Sequence, residues 1–233
     1  MLITPALLAA ALAATPTDLT PIDCDACADW NRPRAPFVLH GKSWYVGTEG
    51  LSAVLIDSGD GLVLIDGALP QSAPLITASI ESLGFSLGDV KWILNSHPHF
   101  DHAGGIAALQ RLSGARVAST VRGAQALRLG NAPHDDPQAG FGPEANAFPP
   151  VAEVSELADG AVLTLGGLSL VLHATPGHTP GGATWAWRSC DDGDCRNLVY
   201  ADSLSAVSAP GFRFSDDPAR VADEVGCNAL EAE

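Results

Sequence analysis

The sequence has 233 residues, of which 46% are hydrophobic and 17% are charged, so it holds enough apolar side chains for one sizeable core and is not a disordered chain. Twelve Lys and Arg stand against 27 Asp and Glu, which gives a formal net charge of -15. This acidity argues against a nucleic-acid-binding protein, because such a protein needs a basic surface to displace counterions.

The N-terminal segment, residues 2–14, is a short apolar run that ends in alanines and is followed by polar residues. This pattern is typical of the hydrophobic part of a secretory signal peptide that is cleaved near Ala13 or Ala14, although no Lys or Arg precedes it. A buried N-terminal helix is the alternative. No other stretch reaches the ~18 uninterrupted apolar residues of a membrane span. We therefore expect a signal peptide at residues 1–14, no membrane span, and one folded domain over residues 24–233.

Five cysteines fit an exported protein. Cys24 and Cys27 form a Cys-x-x-Cys pair, and Cys190 and Cys195 flank the turn-like run Asp-Asp-Gly-Asp. Disulfide pairing in an oxidising compartment is the favoured interpretation, with a local disulfide closing the second pair. A zinc knuckle made from the four is the alternative, but the second pair lacks knuckle spacing. Cys227 is left over.

Apolar runs predict strands and helices in alternation. Two runs at residues 52–57 and 62–66 flank Gly59-Asp60-Gly61, which is typical of a hairpin. Residues 90–95 predict a buried strand that brings the residues after it to a strand end. The other predicted elements are a loosely alternating segment at 37–46, helices at 74–83 and 104–112 that end near Gly84 and Gly114, and strands at 116–119, 161–165, 168–174, 183–188 and 197–201.

Residues 131–150 interrupt this pattern with five prolines and two glycines. Loops of such length are usually functional or mobile. The order of the elements around this loop predicts an α/β protein whose sheets are largely covered.

Four potential metal ligands fall within six residues, in the run His-Pro-His-Phe-Asp-His. Neutral imidazoles and a carboxylate suit a borderline ion such as zinc. Alternate residues of an extended or turning segment point the same way, so His97 and His99 can reach one ion while Asp101 and His102 face a neighbouring one. Histidines acting as general bases without a metal are disfavoured, because adjacent imidazolium ions would repel one another.

A further histidine, His178, lies in the run Thr-Pro-Gly-His-Thr-Pro-Gly-Gly. After the first motif, Gly104 and Gly105 are expected to let the backbone turn tightly into the next helix. The remaining histidines are isolated and are interpreted as surface or packing residues: His40, His134 and His173.

The run His-x-His-x-Asp-His resembles the signature of the metallo-β-lactamase superfamily. The combined segments 44–48, 65–68, 95–105, 173–182 and 200–204 are similar to the third subclass of the class B β-lactamases, and the resemblance covers residues 27–214. It implies a four-layer αββα sandwich, with its second half incomplete in this sequence. It also implies a periplasmic antibiotic-resistance enzyme that uses two zinc ions to hydrolyse the amide bond of a small-molecule β-lactam.

The resemblance implies roles for individual residues. His97, His99 and His178 would hold the first zinc, and Asp101 and His102 would hold part of the second. Asp101 would also act in catalysis by helping to position the attacking nucleophile.

Other implied roles concern the substrate and the support of the ligands. Ser203 and Ser205 would bind water or the substrate carboxylate, and Ser203 is not expected to be a nucleophile because it lacks a serine-hydrolase motif. Asp66 would orient the ligand loop, an ordinary turn aspartate being the alternative. Trp30 and the loop at residues 131–150 would border the pocket, and Gln138 would contact the substrate, with packing or loop positions as the alternative.

The sequence departs from the family after Ser203. The family's second zinc site takes one more histidine downstream, whereas the 55 residues after His178 contain none, and residues 220–233 no longer resemble the family. We interpret the sequence as a truncated or frameshifted copy, or a fragment. The expectation is an occupied first zinc site and a poorly occupied second one, with Cys227 or Glu231 as alternative ligands.

Two other functions stay open. One is another hydrolase of the same fold that acts on lactones or thioesters, and the other is a non-catalytic remnant that binds one zinc. The segments at residues 44–50 and 200–205 favour the β-lactamase interpretation.

Overall fold

The computed structural model describes residues 17–214. The predicted signal peptide at residues 1–14, the leftover Cys227 and the tail at residues 220–233 lie outside this range. Between residues 17 and 214, no helix is both long enough and apolar enough to cross a bilayer.

Both predicted disulfides are confirmed. Cys24 is bonded to Cys27, and Cys190 is bonded to Cys195 at the end of a hairpin. Because all four sulfur atoms are engaged in these bonds, the alternative of a zinc knuckle is wrong.

Sheet A has seven strands in the order of the chain, antiparallel over the first four and parallel over the last four. Parallel neighbours need crossover connections, and helices supply these after the fourth, fifth and sixth strands. The strands are β1 (Phe37–His40), β2 (Ser43–Tyr45), β3 (Val54–Asp57), β4 (Leu62–Ile65), β5 (Val90–Leu94), β6 (Arg116–Thr120) and β7 (Val154–Leu157). The α-helices are α1 (Cys27–Trp30), α2 (Ala73–Ser82), α3 (Phe100–Ala103), α4 (Ile106–Ser113), α5 (Val121–Leu129) and α6 (Pro143–Asn146).

Sheet B has four antiparallel strands in the order β11-β10-β9-β8. They are β8 (Val162–Leu165), β9 (Leu168–Ala174), β10 (Ala183–Asp191) and β11 (Asp194–Tyr200). The predicted pairing of β8 and β9 across Gly166-Gly167 is confirmed.

The central strands of sheet A are buried on both faces, which explains their continuous apolar runs. In β4, Leu64 packs in the cluster that contains the helices, while Val63 and Ile65 pack in the cluster between the sheets. Sheet B contributes the fully buried Trp185 to this second cluster, and its indole N–H donates to the carbonyl of Asn95 at 3.1 Å. Sheet B is thereby joined directly to the segment that carries the histidine motif.

The expected α/β fold with two sheets is confirmed, although five of its helices and strands were not predicted. These are the short helices α1, α3 and α6, the helix α5 and the strand β7. The predicted segment at residues 37–46 divides into β1 and β2 at Gly41. On the outer face of sheet B, Val162 and Val199 are 57% and 61% exposed, so within residues 17–214 the expectation of largely covered sheets is wrong for this face. Residues 17–214 thus form the helical layer and the two sheets of the sandwich.

Candidate metal centre

The histidine motif lies where β5 ends in sheet A. The chain runs from β5 through His97 and His99 into α3, which carries Asp101 and His102. His178 reaches the same place from the loop between β9 and β10. One ligand atom from each of His97, His99 and His178 lies within 4.8 Å of the others, and the same holds for His97, Asp101 and His102. The two predicted groups are adjacent, and His97 is common to both.

The two glycines after the motif form the predicted turn between α3 and α4. Gly104 and Gly105 have φ angles of -55° and -84°, which any residue adopts, so the turn itself does not require glycine. A Cβ on Gly105 would lie 2.2 Å from the carbonyl oxygen of Gly67, and one on Gly104 would lie 2.4 Å from that of Phe100. Glycine is needed here for space, because the backbone packs directly on the loop that carries Asp66.

His97 is buried among the other histidines and is held by a carboxylate. Its Nδ1 lies 2.8 Å from Asp202 Oδ1. Burial, and then repulsion from His102, His99 and His178, holds the pKa of His97 well below its usual range. The ring is therefore neutral at pH 7. With its proton on Nδ1 facing Asp202, Nε2 keeps a lone pair for a metal ion.

His102 is held in the same way by Asp66. Its Nδ1 lies 2.9 Å from Asp66 Oδ2, and Asp66 also accepts the hydroxyl protons of Ser96 and Tyr200. Burial alone would lower the pKa of His102, but the hydrogen bond to Asp66 and the charge of this and other carboxylates raise it to about 9. Asp66 thus contacts the motif from behind, at the position from which an orienting residue would act.

The outer partners of His99 and His178 define which ring nitrogen carries the proton. His99 Nε2 lies 3.2 Å from both carboxylate oxygens of Asp136, and His178 Nδ1 lies 2.8 Å from the carbonyl oxygen of Ser205. Because a carbonyl or carboxylate oxygen accepts, these nitrogens carry the hydrogen. The inner nitrogens, His99 Nδ1 and His178 Nε2, then face each other 3.1 Å apart with their lone pairs.

This arrangement fits a cation. Two bare nitrogens at that distance repel each other unless a cation or a hydrogen-bond donor lies beside them. The amide Nε2 of Gln138 is such a donor, 3.3 Å from both. Burial raises the pKa of Asp202 well above its usual range, and its buried Oδ2 has no hydrogen-bond partner among residues 17–214, so a positive charge close to this carboxyl group would stabilise its ionised form. The donor set of three imidazoles matches zinc.

The other predicted site residues have different surroundings. Ser203 Oγ lies 2.8 Å from Ser205 Oγ, next to the histidine cluster through the bond between Ser205 and His178. The side chain of Trp30 lies against Gly50, and its carbonyl accepts a hydrogen bond from Thr48. The roles of these residues in substrate binding stay predictions.

Three buried residues at the cluster were missed from the sequence. Asp202 contacts His97, Asp136 contacts His99, and Thr179 donates to Asp136 Oδ2 at 2.6 Å. Thr179 directly follows His178, and Asp202 directly precedes Ser203; His178 and Ser203 had both been singled out. Asp136 lies in the long loop that was predicted to be functional or mobile, but the sequence assigned it no role of its own.

Two facing sheets with helices on one side, and a His-x-His-x-Asp-His motif at the end of a parallel strand, define a metallo-hydrolase sandwich. The model of the family described as "Metallo-beta-lactamase superfamily" matches residues 46–191, and the chain belongs to this superfamily.

Solved structures and curated proteins both resemble the chain. The Rm3 metallo-beta-lactamase is 50% identical with a TM-score of 0.85, over 91% of this chain and 79% of that one. MEM-A1, a subclass B3 metallo-beta-lactamase from a soil metagenome library, is 51% identical with a TM-score of 0.82, over 87% of this chain and 76% of that one. A hydroxyacylglutathione hydrolase of Anaeromyxobacter dehalogenans is 30% identical over 72% of this chain and 52% of its own length. The chain thus spans about half the length of this curated relative.

Proposed function

We propose that this chain is a zinc-dependent hydrolase of the β-lactam amide bond. The observation that carries the proposal is the set of three convergent imidazoles, His97, His99 and His178, each with a bond to an outer partner. The likeness to subclass B3 enzymes at about half identity over most of the chain supports β-lactams as the substrate class.

The three histidines would hold the first zinc, and Asp101 and His102 would bind the second. Among the described residues, the third potential ligand beside Asp101 and His102 is His97, which also belongs to the first group. The Nδ1 of His97 faces Asp202, so only its Nε2 is available to a metal ion. One nitrogen cannot complete both sites. We therefore expect one tight zinc equivalent and a weak second one.

A bound zinc ion lowers the pKa of water in contact with it and polarises a carbonyl oxygen. The chain's own residues would do the rest. The carboxylate of Asp101, 23% exposed beside the cluster, can accept a hydrogen bond from the attacking water and so orient it. Gln138, Ser203 and Ser205 can donate hydrogen bonds to the substrate. A serine nucleophile needs an adjacent general base, but the hydroxyl of Ser203 bonds to the hydroxyl of Ser205, which cannot act as one. This supports direct attack by water without an acyl-enzyme.

Thioester hydrolysis is the second candidate. It is favoured by the similarity to a hydroxyacylglutathione hydrolase over 72% of this chain. Lactone hydrolysis by an enzyme of the same fold is a further alternative. Both need the same metal centre, so the substrate separates them.

The test uses purified protein with a chromogenic cephalosporin, an acylglutathione thioester and a simple lactone, each with and without a chelator. We expect chelator-sensitive turnover of the cephalosporin above that of the others. Preferred turnover of the thioester or lactone would replace the β-lactam proposal. Zinc uptake with no turnover would favour the non-catalytic single-zinc protein.

A matched pair of variants tests the metal centre. His178→Ala should lose tight zinc binding and chelator-sensitive turnover, because it removes one of three inner nitrogens. His173→Ala removes a histidine from β9, outside both ligand groups, and should retain both. Equal zinc binding by the two variants would contradict the assignment.

We further propose that the folded domain spans residues 24–233 and that the protein acts in the periplasm after removal of residues 1–14. The two disulfides support an oxidising compartment. Fractionation of expressing cells, with N-terminal sequencing of the product, tests this. Full-length protein in the cytoplasmic fraction would contradict it.

A further inference from the structure

The loop at residues 131–150 is joined to the histidine cluster through one buried carboxylate, that of Asp136. Oδ2 accepts the hydroxyl of Thr179 at 2.6 Å, and Oδ1 accepts the backbone N–H of Gln138 at 2.8 Å. Both oxygens lie 3.2 Å from Nε2 of His99. One side chain thus touches the motif, the loop that carries His178, and the long loop itself.

All three partners of the Asp136 side chain donate hydrogen bonds, and only a carboxylate, whose two oxygens both accept, can accept from all of them. An asparagine would keep its oxygen at the Oδ1 position, because the backbone N–H of Gln138 cannot turn away. Its NH₂ group would face Thr179, whose hydroxyl can rotate to accept. His99 would then face one neutral acceptor in place of two charged oxygens, so its ring would be held less firmly.

The same carboxylate also sets the position of Gln138. The side chain of Gln138 donates to the inner nitrogens of His99 and His178, a contact that a bound zinc ion would replace, and its backbone carbonyl accepts a hydrogen bond from Asn146 within the loop. The backbone bond from Gln138 to Asp136 does not use those nitrogens, so loop and ligand share Asp136 as an anchor when zinc is bound.

We propose that Asp136 is a positioning residue that couples the order of the loop at residues 131–150 to metal binding by His99. This inference rests on the proposed role of His99 as a zinc ligand. When zinc is bound, the ring of His99 is fixed from the inner side, and its Nε2–H then fixes Asp136 and, through it, the loop.

The neighbouring residue provides a matched control. Asp135 is 40% exposed and forms an ion pair with Arg122 at 2.6 Å, on the surface rather than in the cluster. Asp135→Asn makes the same chemical change one position away. Exposed ion pairs of this kind contribute little to stability, so this variant should behave as the wild type.

The experiment has two readouts on the full chain. Zinc affinity is measured by competition with a chromophoric chelator, and hydrogen exchange of the peptides covering residues 131–150 is measured with and without zinc. In the wild type and Asp135→Asn, zinc should slow exchange in these peptides. Asp136→Asn should bind zinc about 10- to 100-fold more weakly, and at saturating zinc its loop should show little of this protection. Thr179→Val, which removes one donor and keeps the shape, should change both in the same direction by a smaller factor.

Each outcome decides between the proposals. If the wild type binds zinc and Asp136→Asn matches Asp135→Asn in affinity or in loop protection, the coupling is overturned while the zinc site stands. If the wild type binds no zinc, the proposed function itself fails. Should Asp136→Asn not fold, as judged by near-ultraviolet circular dichroism, Thr179→Val decides alone, and wild-type values for it would overturn the coupling.

Discussion

Replacement of Asp66 by asparagine is the sharpest test of how the ligand loop is held. Asp66 is fully buried, and its two oxygens accept hydrogen bonds from four residues. Its φ of +64° lies in the left-handed region, where Asp and Asn are both tolerated, so the substitution leaves the backbone cost unchanged. The donors are Asn95 Nδ2, the Ser96 amide and hydroxyl, His102 Nδ1 and Tyr200 Oη.

The geometry indicates which bond is lost in Asp66→Asn. The new side chain must keep its oxygen toward the backbone N–H of Ser96, 2.7 Å from Oδ1, because that donor cannot rotate. Its NH₂ group then takes the place of Oδ2 and faces His102. The hydroxyl of Tyr200 can turn to the carbonyl of Ser52 at 3.0 Å. His102 can adapt only by losing its Nδ1 proton and keeping a proton on Nε2, the nitrogen nearer to Asp101.

The expected effect is therefore the loss of one charge-assisted hydrogen bond and the wrong tautomer of His102. A hydrogen bond to a charged group contributes about 1.5–3 kcal/mol. For a domain of this size, about 2 kcal/mol lowers the melting temperature by about 4–8 °C. Metal affinity at the group of Asp101 and His102 should fall about 10- to 100-fold, the usual effect of losing an outer partner.

The assay compares Asp66→Asn with Asp57→Asn by differential scanning calorimetry and by titration with cobalt. Asp57 is the last residue of β3, and Asp66 directly follows β4, so the two aspartates have similar places in the sheet. The carboxylate of Asp57, however, bonds to Lys42 and to the backbone amide of Gly59 near the surface. Asp57→Asn should melt and bind metal nearly as the wild type does. If Asp66→Asn does the same, the carboxylate does not hold His102, and the reasoning is refuted.

Three further predictions test other contacts. Gly182→Ala would place a Cβ 2.1 Å from Asp202 Oδ2, so it should lower both the melting temperature and zinc affinity, whereas Gly88→Ala, with its nearest atom 3.6 Å away, should change neither. In metal-free protein with chelator, the raised pKa of His102 means that the folded state with a protonated His102 is stabilised. The free energy of unfolding measured with urea should therefore fall as pH rises from about 6.5 through about 9, and a flat profile would contradict this. Trp185→Ala should cost about 3–5 kcal/mol in urea unfolding, since it empties a fully buried site between the sheets, and a loss below about 1 kcal/mol would show that the site collapses.

The fold could be predicted where burial and pattern agree. The strand β4 is a continuous apolar run because both faces of sheet A are covered there, and β5 is apolar except for the exposed Lys91, so the sequence indicated both strands directly. Helix α5 was missed because Gly123 in its first half suggests a break. The structure supplies the reason for that glycine: a Cβ there would lie 2.2 Å from Ser119 Oγ and 3.0 Å from the carbonyl of Gly181.

The ligand candidates could be predicted for a different reason. His97, His99, Asp101 and His102 lie within six residues, so their spacing can be recognised as a local motif without knowledge of the fold. His178 lies far along the chain and was assigned only through the resemblance to a family.

The outer partners could not be predicted in this way, because each is a single polar residue supplied by another segment. Asp66 is 36 residues from His102, Asp136 is 37 from His99, and Ser205 is 27 from His178. Only tertiary packing brings them together. Ser205 was singled out for its hydroxyl, whereas the bond to His178 uses its carbonyl, which any residue could supply. The four clustered candidate ligands are thus a local property of this sequence, whereas which nitrogen of each histidine faces the candidate metal site is a property of the whole fold. Substitutions at the outer partners should therefore impair the site while leaving the motif intact.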